Sequence, residues 1–275
     1  MLRKRSAYTT AFALIAVLVL TAHADRRTQL KPGWNLFSPE QDVEMGIEVA
    51  KQAESQLPIL NDPPATAYLN RVGKRLVAHT PNNKPNYVWR FKIVNDRKIN
   101  AFALPGGFVY INRGVFESAD NEAELAGVIA HETAHVVLRH GTSQASKAYI
   151  AQAPLSIVGG VLGNSVGSVL AQLGIRFATD SILLKYSRDA EKQADVVGAQ
   201  ILHDSGYHPI AMVQFFEKIQ AESKGRASEF FSDHPNPENR MNYVQAEIEK
   251  LGGPPANART DSPDFHAIKN RLMSR

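Results

Sequence analysis

Residues 121–141 read NEAELAGVIAHETAHVVLRHG, and apolar side chains recur in this stretch at the spacing of a helix face. These positions are Leu125, Val128, Ile129, Val136 and Val137. The pattern predicts a largely buried helix from about Asn121 to His140. Gly141 would end this helix, because glycine readily adopts the left-handed conformation found at helix ends.

Two histidines of this helix, His131 and His135, are four residues apart. Residues at this spacing lie about 40° apart around a helix axis, so both imidazoles can reach one metal ion. Glu132 lies beside the predicted site, where it can act as a base on metal-bound water. This HExxH pattern arises by chance in roughly one chain in a hundred of this length, so other parts of the sequence must support it.

A third metal ligand has to come from outside the motif helix. Metzincins continue the motif with a glycine and a third histidine, but this chain has Leu138 and Gly141 at those positions. Glu191 and Asp195, in a later predicted helix, share one helix face. One carboxylate can bind the metal while the other orients a ligand histidine. With the two motif histidines, Glu191 would form a His₂Glu set that leaves a fourth position for water.

Capping signals mark the starts of two helices before the motif helix. Ser38-Pro39-Glu40-Gln41 predicts a helix to about Leu57, and Asn61-Asp62-Pro63 predicts the start of a second. After the motif helix, further helices are predicted at about 181–205, 208–224 and 237–251, and a proline- and glycine-rich tail follows from Gly252.

Two β-rich segments lie between the early helices and the motif helix. Residues 88–94 and 108–111 are rich in aromatic and β-branched side chains, which predicts strands. The fold class expected is therefore α+β and mainly helical, with a small β-sheet beside the HExxH helix. The strand containing Phe108, Val109 and Tyr110 would serve as an edge that binds an extended substrate, and a plain core strand is the alternative.

The first 24 residues have the pattern of a secretory signal peptide. Arg3-Lys4-Arg5 form a basic start, an apolar run covers 11–20, and Ala22-His23-Ala24 fits a cleavage site. The apolar run is too short to cross a bilayer, and an uncleaved anchor is the alternative. We expect cleavage near Ala24, a single domain at 25–255 and a C-terminal tail at 256–275.

Composition excludes several kinds of site. The chain has no cysteine, which rules out disulfides, thiol catalysis and cysteine metal ligands. Cleavage near Ala24 would remove three basic residues and no acidic residue, so the formal net charge would fall from +4 to +1. No basic stripe with interleaved aromatic residues is present, and we expect no nucleic-acid partner.

The stretch 148–175 carries no charged residue. Its glycines at 159, 163 and 167 recur every four residues, a pattern typical of closely packed membrane helices. A single crossing would, however, put two ligands of one metal on opposite sides of a membrane. We therefore predict a mobile helical hairpin or lid beside the site, with peripheral membrane contact left open.

Four ordered motifs resemble those of the M48 metallopeptidases, a family that includes CAAX-processing proteases and bacterial periplasmic proteases. The segment from Ala123 to His135 is similar to the active-site helix of the family, and the segment from Ser187 to Asp195 to its glutamate-ligand motif. Residues 100–107 resemble its strand-turn, and His234-Pro235 followed by Arg240 resembles its late His-Pro motif. The likeness extends over most of residues 38–250. Unlike in some members, we expect no tetratricopeptide domain in this chain, and the sequence has no lipobox cysteine and no pattern of several membrane spans.

The resemblance implies a gluzincin-like zinc endopeptidase domain with one Zn²⁺ per chain, held by His131, His135 and Glu191. It also implies that Asp195 orients a ligand histidine. Glu132 would take a proton from the attacking water and pass it to the leaving amine. Unfolded or misfolded cell-envelope proteins as substrates follow from the same resemblance alone, whereas the export signal of residues 1–24 also favours a periplasmic location.

Two further residues have several candidate roles. His234 would donate to the oxyanion, occupy the open zinc position as an inhibitory ligand, or cap a turn, and the resemblance favours the first two. Arg240 would steady the oxyanion or the loop of His234, and a surface ion pair of little energetic weight is the alternative.

Two other functions compete with the peptidase. A zinc-containing assembly factor or holdase would bind unfolded outer-membrane proteins with little turnover, but such a scaffold needs no base at Glu132. A hydrolase of small peptides or amides is the third candidate, and the absence of a small-ligand motif disfavours it.

Overall fold

The structure is a computed structural model that describes residues 26–81, 87–152, 184–222 and 229–274. The predicted signal peptide and all but the first five residues of the predicted 148–175 hairpin lie outside these ranges. The strands are β1 (Arg90–Val94), β2 (Ala101–Leu104) and β3 (Phe108–Asn112). The helices are α1 (Pro39–Gln56), α2 (Pro63–Val77), α3 (Arg113–Ser118), α4 (Glu122–Val137), α5 (His140–Gln152), α6 (Arg188–Asp204), α7 (Ile210–Glu222), α8 (Glu229–Asp233), α9 (Arg240–Lys250) and α10 (Pro263–Met273). Within the part of the chain so described, every helix is too short or too polar to cross a bilayer.

Helix α4, which carries the HExxH motif, lies at the centre of the fold. Its residues from Glu122 to Val136 are all buried, and it packs against α2, α6, α7 and β2. Glycines permit the closest of these contacts: a Cβ on Gly127 would lie 2.6 Å from the Met212 Cα of α7. The mainly helical α+β fold with a small sheet beside the HExxH helix is therefore confirmed.

The sheet has the strand order β1-β3-β2. β1 runs parallel to β3, whereas β2 runs antiparallel to it. The prediction that Phe108, Val109 and Tyr110 form an edge for an extended substrate is wrong, because β3 is paired on both sides and has no free row of backbone groups. β3 is a buried core strand, and β2 is the edge strand that contacts α4.

The observed starts of α1 and α2 agree with those predicted from the sequence, whereas the observed end of the motif helix differs from its predicted end. The capping box of Ser38 and Gln41 starts α1, and Asp62 caps α2, as predicted. Helix α4, however, ends at Val137, and Arg139 adopts the left-handed conformation (φ 57°). The predicted end at Gly141 is therefore wrong, since a new helix already starts at His140.

Contacts from the start of the chain hold the turn between α4 and α5. The Arg139 guanidinium donates to both carboxylate oxygens of Asp42, at 2.6 and 3.0 Å, and to the carbonyl oxygen of Phe37 at 2.6 Å. This ion pair is largely buried. Asp42 and Phe37, which are remote from Arg139 in sequence, thus hold the turn at which α4 ends.

Helix α10 lies in the region that the sequence predicts as a tail. Ser262 caps it, and Phe265 and Leu272 are fully buried against the main core. It packs against α2 and α3. Since most of its other positions are at least partly exposed, the apolar periodicity is too sparse to reveal the helix.

Candidate metal centre

Three separate parts of the fold bring four potential ligands together. His131 and His135 come from α4, Glu191 from the first turn of α6, and His234 from the segment that follows α8. One ligand atom of each lies within 4.8 Å of the others, and all four side chains are buried. The three residues that the sequence predicts as ligands are thus adjacent in space.

The donor atoms of this cluster fit a metal ion. The Nε2 atoms of His131 and His135 are 3.0 Å apart, and the Glu191 carboxylate lies 3.3 and 3.4 Å from them. Glu191 Oε2 has no hydrogen-bond partner among the residues that the structure covers. Buried polar atoms are normally paired, and two imidazoles and a carboxylate facing one point are a typical zinc ligand set.

Asp195 holds His131 in place from the side opposite the cluster. Its carboxylate lies 3.0 Å from Nδ1 of His131 and accepts from Nε of Arg240 at 2.7 Å and from the Tyr243 hydroxyl. A carboxylate on Nδ1 keeps the proton there, so Nε2 is free to bind a metal. Sequence reasoning missed Tyr243, which lies on the same helix as Arg240.

Arg240 is 4% exposed, which contradicts the alternative of a surface ion pair. Its guanidinium also lies 3.7 Å from Glu191 and stacks over the Phe216 ring at 4.4 Å. The cation thus offsets part of the negative charge of two buried carboxylates, Glu191 and Asp195. It reaches the ligands chiefly through Asp195.

Glu132 and Glu191 lie in the same buried site but have different pKa directions. Burial raises the pKa of Glu132, although His234 and His131 act in the opposite sense. Burial also opposes ionisation of Glu191, but His234 and His135 outweigh it and hold the pKa of Glu191 well below its usual range. Such a separation suits one carboxylate that stays charged as a ligand and another that exchanges a proton.

His234 contacts the ligand cluster and Glu132 at once. Its Nδ1 lies 3.2 Å from Glu191 and 3.4 Å from Nε2 of His131. Its Nε2 lies 3.4 Å from Glu132 Oε1, and its ring stacks on Phe230 at 4.5 Å. The imidazole is therefore enclosed within the site.

The structure adds three residues to which the sequence analysis assigned no role. Tyr186 stacks on the ring of His135, with ring centroids 3.8 Å apart. His140 lies with its Nδ1 2.9 Å from Nδ1 of His135, and its Nε2 lies 3.3 Å from the Gln193 side-chain oxygen. Burial lowers the pKa of His140 to about 4. The only sequence signal for these residues is their position within or beside the two metal-ligand motifs.

Comparisons with known proteins agree with this geometry. The model of peptidase family M48 matches residues 63–248. The beta-barrel assembly-enhancing protease of Escherichia coli K12 is 33% identical over 284 residues, covering 99% of this chain and 57% of that protein. The mitochondrial metalloendopeptidase OMA1 of Schizosaccharomyces pombe is 30% identical over 214 residues, covering 77% of this chain and 60% of that protein. The metalloprotease YcaL of Escherichia coli K12 is 29% identical over 182 residues, covering 65% of this chain and 71% of that protein.

The chain spans a little over half the length of the first of these relatives. The family match nevertheless includes the HExxH helix, the Glu191 helix and the segment of His234. The resemblance seen in the four sequence motifs is therefore confirmed: the chain belongs to peptidase family M48.

Proposed function

We propose that this chain is a zinc-dependent endopeptidase that hydrolyses peptide bonds of misfolded or stalled cell-envelope proteins. The observation that carries the proposal is Glu132, a fully buried carboxylate whose oxygens accept no hydrogen bond from the described residues. A carboxylate with a purely structural role would be paired. Glu132 instead lies beside a His₂Glu donor set, where a base is needed.

Each residue of the site has a distinct task in this proposal. His131, His135 and Glu191 hold one zinc ion, which when bound acts as a Lewis acid toward the scissile carbonyl and lowers the pKa of water. Glu132 removes the proton from the attacking water and delivers it to the leaving amine. Asp195 orients His131, and Arg240 is a positioning residue that acts through Asp195.

An extended substrate would pair with β2 rather than with β3. In the part of the chain that the structure covers, β2 is paired along one side only. Ala103 and Leu104 of β2 line a small cavity together with His135 and Tyr186. A peptide strand added to this edge would therefore run past the ligand cluster.

A second candidate function, a latched assembly factor or holdase, is favoured by the position of His234. With Nδ1 facing the ligand cluster and Nε2 facing Glu132, this side chain would supply a fourth ligand to the metal and contact the base. Substrate must then displace His234 before hydrolysis. If His234 is a latch, His234→Ala raises peptidase turnover, whereas loss of an oxyanion donor lowers kcat with little change in KM.

The proposed substrates and location rest on the relatives and on the N-terminal pattern. The names of the relatives describe a metalloprotease, a metalloendopeptidase and a protease that enhances β-barrel assembly. The secretory pattern of residues 1–24 favours the periplasm as the compartment in which this chain would meet such proteins.

The test is cleavage of unfolded casein by the zinc-loaded protein beside its Glu132→Gln variant. We expect one zinc bound by each protein, cleavage by the parent, and a loss of rate of at least about 100-fold in the variant. Zinc binding at one per chain without cleavage by either protein would favour the latched scaffold. Equal cleavage by both would contradict the role of Glu132.

A further inference from the structure

The geometry points to His140 as the positioning residue that holds His135 in the tautomer and orientation needed to bind a metal through Nε2. This inference rests on the proposed metal site but not on peptidase activity. Neither the motifs nor the relatives assign any role to His140.

The two ligand histidines have different supports. His131 places Nδ1 3.0 Å from the carboxylate of Asp195. His135 has no carboxylate on that side among the described residues; its Nδ1 lies 2.9 Å from Nδ1 of His140. Metal-ligating histidines nearly always donate their second ring N–H to an acceptor that fixes the ring. His140 supplies that acceptor for His135.

The protons of this contact can be assigned from the atoms that meet. His135 directs Nε2 toward His131 and Glu191, so its own proton must be on Nδ1. Two Nδ1 atoms at hydrogen-bonding distance share one proton, and His140 must therefore accept with an unprotonated Nδ1. A neutral His140 then carries its proton on Nε2, which faces the Gln193 side-chain oxygen at 3.3 Å.

The result is a chain of hydrogen bonds that runs outward from the ligand cluster, from His135 to His140 to Gln193. Gln193 lies on α6 between Glu191 and Asp195, so the same helix that supplies a ligand also supports both histidines. A protonated His140 would direct a second N–H against the Nδ1–H of His135. Only the neutral form of His140 with hydrogen on Nε2 gives every donor and acceptor in this series of hydrogen bonds a partner.

A break in the motif helix makes the contact between His135 and His140 available. In one continuous helix, residues five apart lie about 140° apart around the axis, and their side chains do not meet. The left-handed conformation of Arg139 ends α4 and starts α5 at His140. The His140 ring thereby returns to the ligand cluster, where it is only 7% exposed.

The test compares zinc affinity, measured by competition with a chelator, and the cobalt(II) absorption spectrum of four proteins. These are the parent, His140→Leu, His140→Asn and the surface control His79→Leu. The leucine removes the acceptor, whereas the Asn oxygen occupies about the place of Nδ1. We expect His140→Leu to weaken zinc binding about 10–100-fold and alter the cobalt spectrum, while His140→Asn regains most of the affinity. His79→Leu should match the parent.

Each result has one meaning. Parent-like affinity and spectrum in His140→Leu would overturn the inference, and so would an Asn variant as weak as the Leu variant, since size rather than the acceptor would then matter. If His140→Leu does not fold, the side-chain ¹⁵N spectrum of the zinc-loaded parent decides. The inference requires His140 to carry hydrogen on Nε2, and a proton on its Nδ1 would contradict it. Failure of casein cleavage alone would bear on the proposed function and not on His140.

Discussion

At the scale of single residues, the site depends on how each ligand is held as much as on the ligands themselves. Asp195 accepts hydrogen bonds from three side chains. His131 meets its Oδ1, whereas Arg240 and Tyr243 both donate to its Oδ2. An amide of the same shape cannot accept all three, because one of its two polar atoms is a donor. Support for the ligand is therefore specific to a carboxylate.

Asp195→Asn is expected to weaken zinc binding about 10–100-fold, because His131 loses the acceptor that fixes its Nδ1 proton. Asp189→Asn, an exposed change on the same helix, is the matched control and should leave the affinity unchanged. Competition with a chelator measures both. An affinity for Asp195→Asn equal to that of the control would show that Asp195 does not orient the ligand.

At the scale of elements, the position of the motif helix depends on close backbone contact with its neighbours. Gly127 of α4 lies against the backbone of Met212. A Cβ added at Gly198 of α6 would lie 3.3 Å from the backbone nitrogen of His131. The helix that bears two candidate metal ligands is thus positioned by glycines, which have no side chain, at its closest contacts. An added methyl group at Gly127 would press α4 away from α7, and one at Gly198 would press apart α4 and α6, which carry the candidate ligands.

Gly127→Ala is expected to lower the free energy of unfolding by about 1–3 kcal/mol, even though alanine favours the helix, because its Cβ would overlap the Met212 backbone at 2.6 Å. Gly33→Ala is the control, since its Cβ would have only an ordinary contact at 3.7 Å. Urea unfolding measures both. A Gly127→Ala variant more stable than the parent would contradict the close approach of α4 and α7.

At the scale of the whole molecule, Glu122 joins parts of the chain that are far apart in sequence. Its carboxylate accepts from the Tyr68 hydroxyl at 3.0 Å, from Tyr207 at 2.6 Å and from Ser262, with Arg259 at 3.6 Å. Burial opposes its ionisation, but the hydrogen bonds from Ser262, Tyr207 and Tyr68 outweigh it, and the pKa of Glu122 is lowered.

A carboxylate whose pKa is lowered by folding contributes stability above its unfolded pKa and loses it in acid. Glu122→Gln is expected to cost about 2 kcal/mol at pH 7, and the difference from the parent should shrink as the pH falls below about 4.5. Denaturant unfolding between pH 3 and 7 measures it, with the exposed Glu44→Gln as control. If the difference in free energy of unfolding between the parent and Glu122→Gln grew as the pH fell, the prediction would be contradicted.

Metal removal is the second prediction at this scale. A ligand that binds only the folded state adds about 4 kcal/mol to the free energy of unfolding at a free concentration of 1,000 times its Kd. We expect zinc to raise the thermal midpoint of the parent and of Glu132→Gln alike, since Glu132 is not a proposed ligand. No change on adding zinc to either protein would argue against the metal centre.

Much of the site follows from local spacing. The pairs His131 and His135, and Glu191 and Asp195, each lie four residues apart, so a helix alone brings their side chains to one face. The capping box of Ser38 and Gln41 likewise depends only on neighbouring residues. Side-chain arrangements within one helix can therefore be predicted from the spacing of residues in the sequence.

The sequence by itself therefore determined the HExxH helix, the residue types of the candidate ligands and the mainly helical fold. Only the tertiary structure decided that β3 is a central strand, that His234 faces both the ligands and Glu132, and that α4 ends before His140. The physical reason is the range of the interactions. Strand order comes from pairing between distant segments, and the end of α4 comes from an ion pair between Arg139 and Asp42, 97 residues apart.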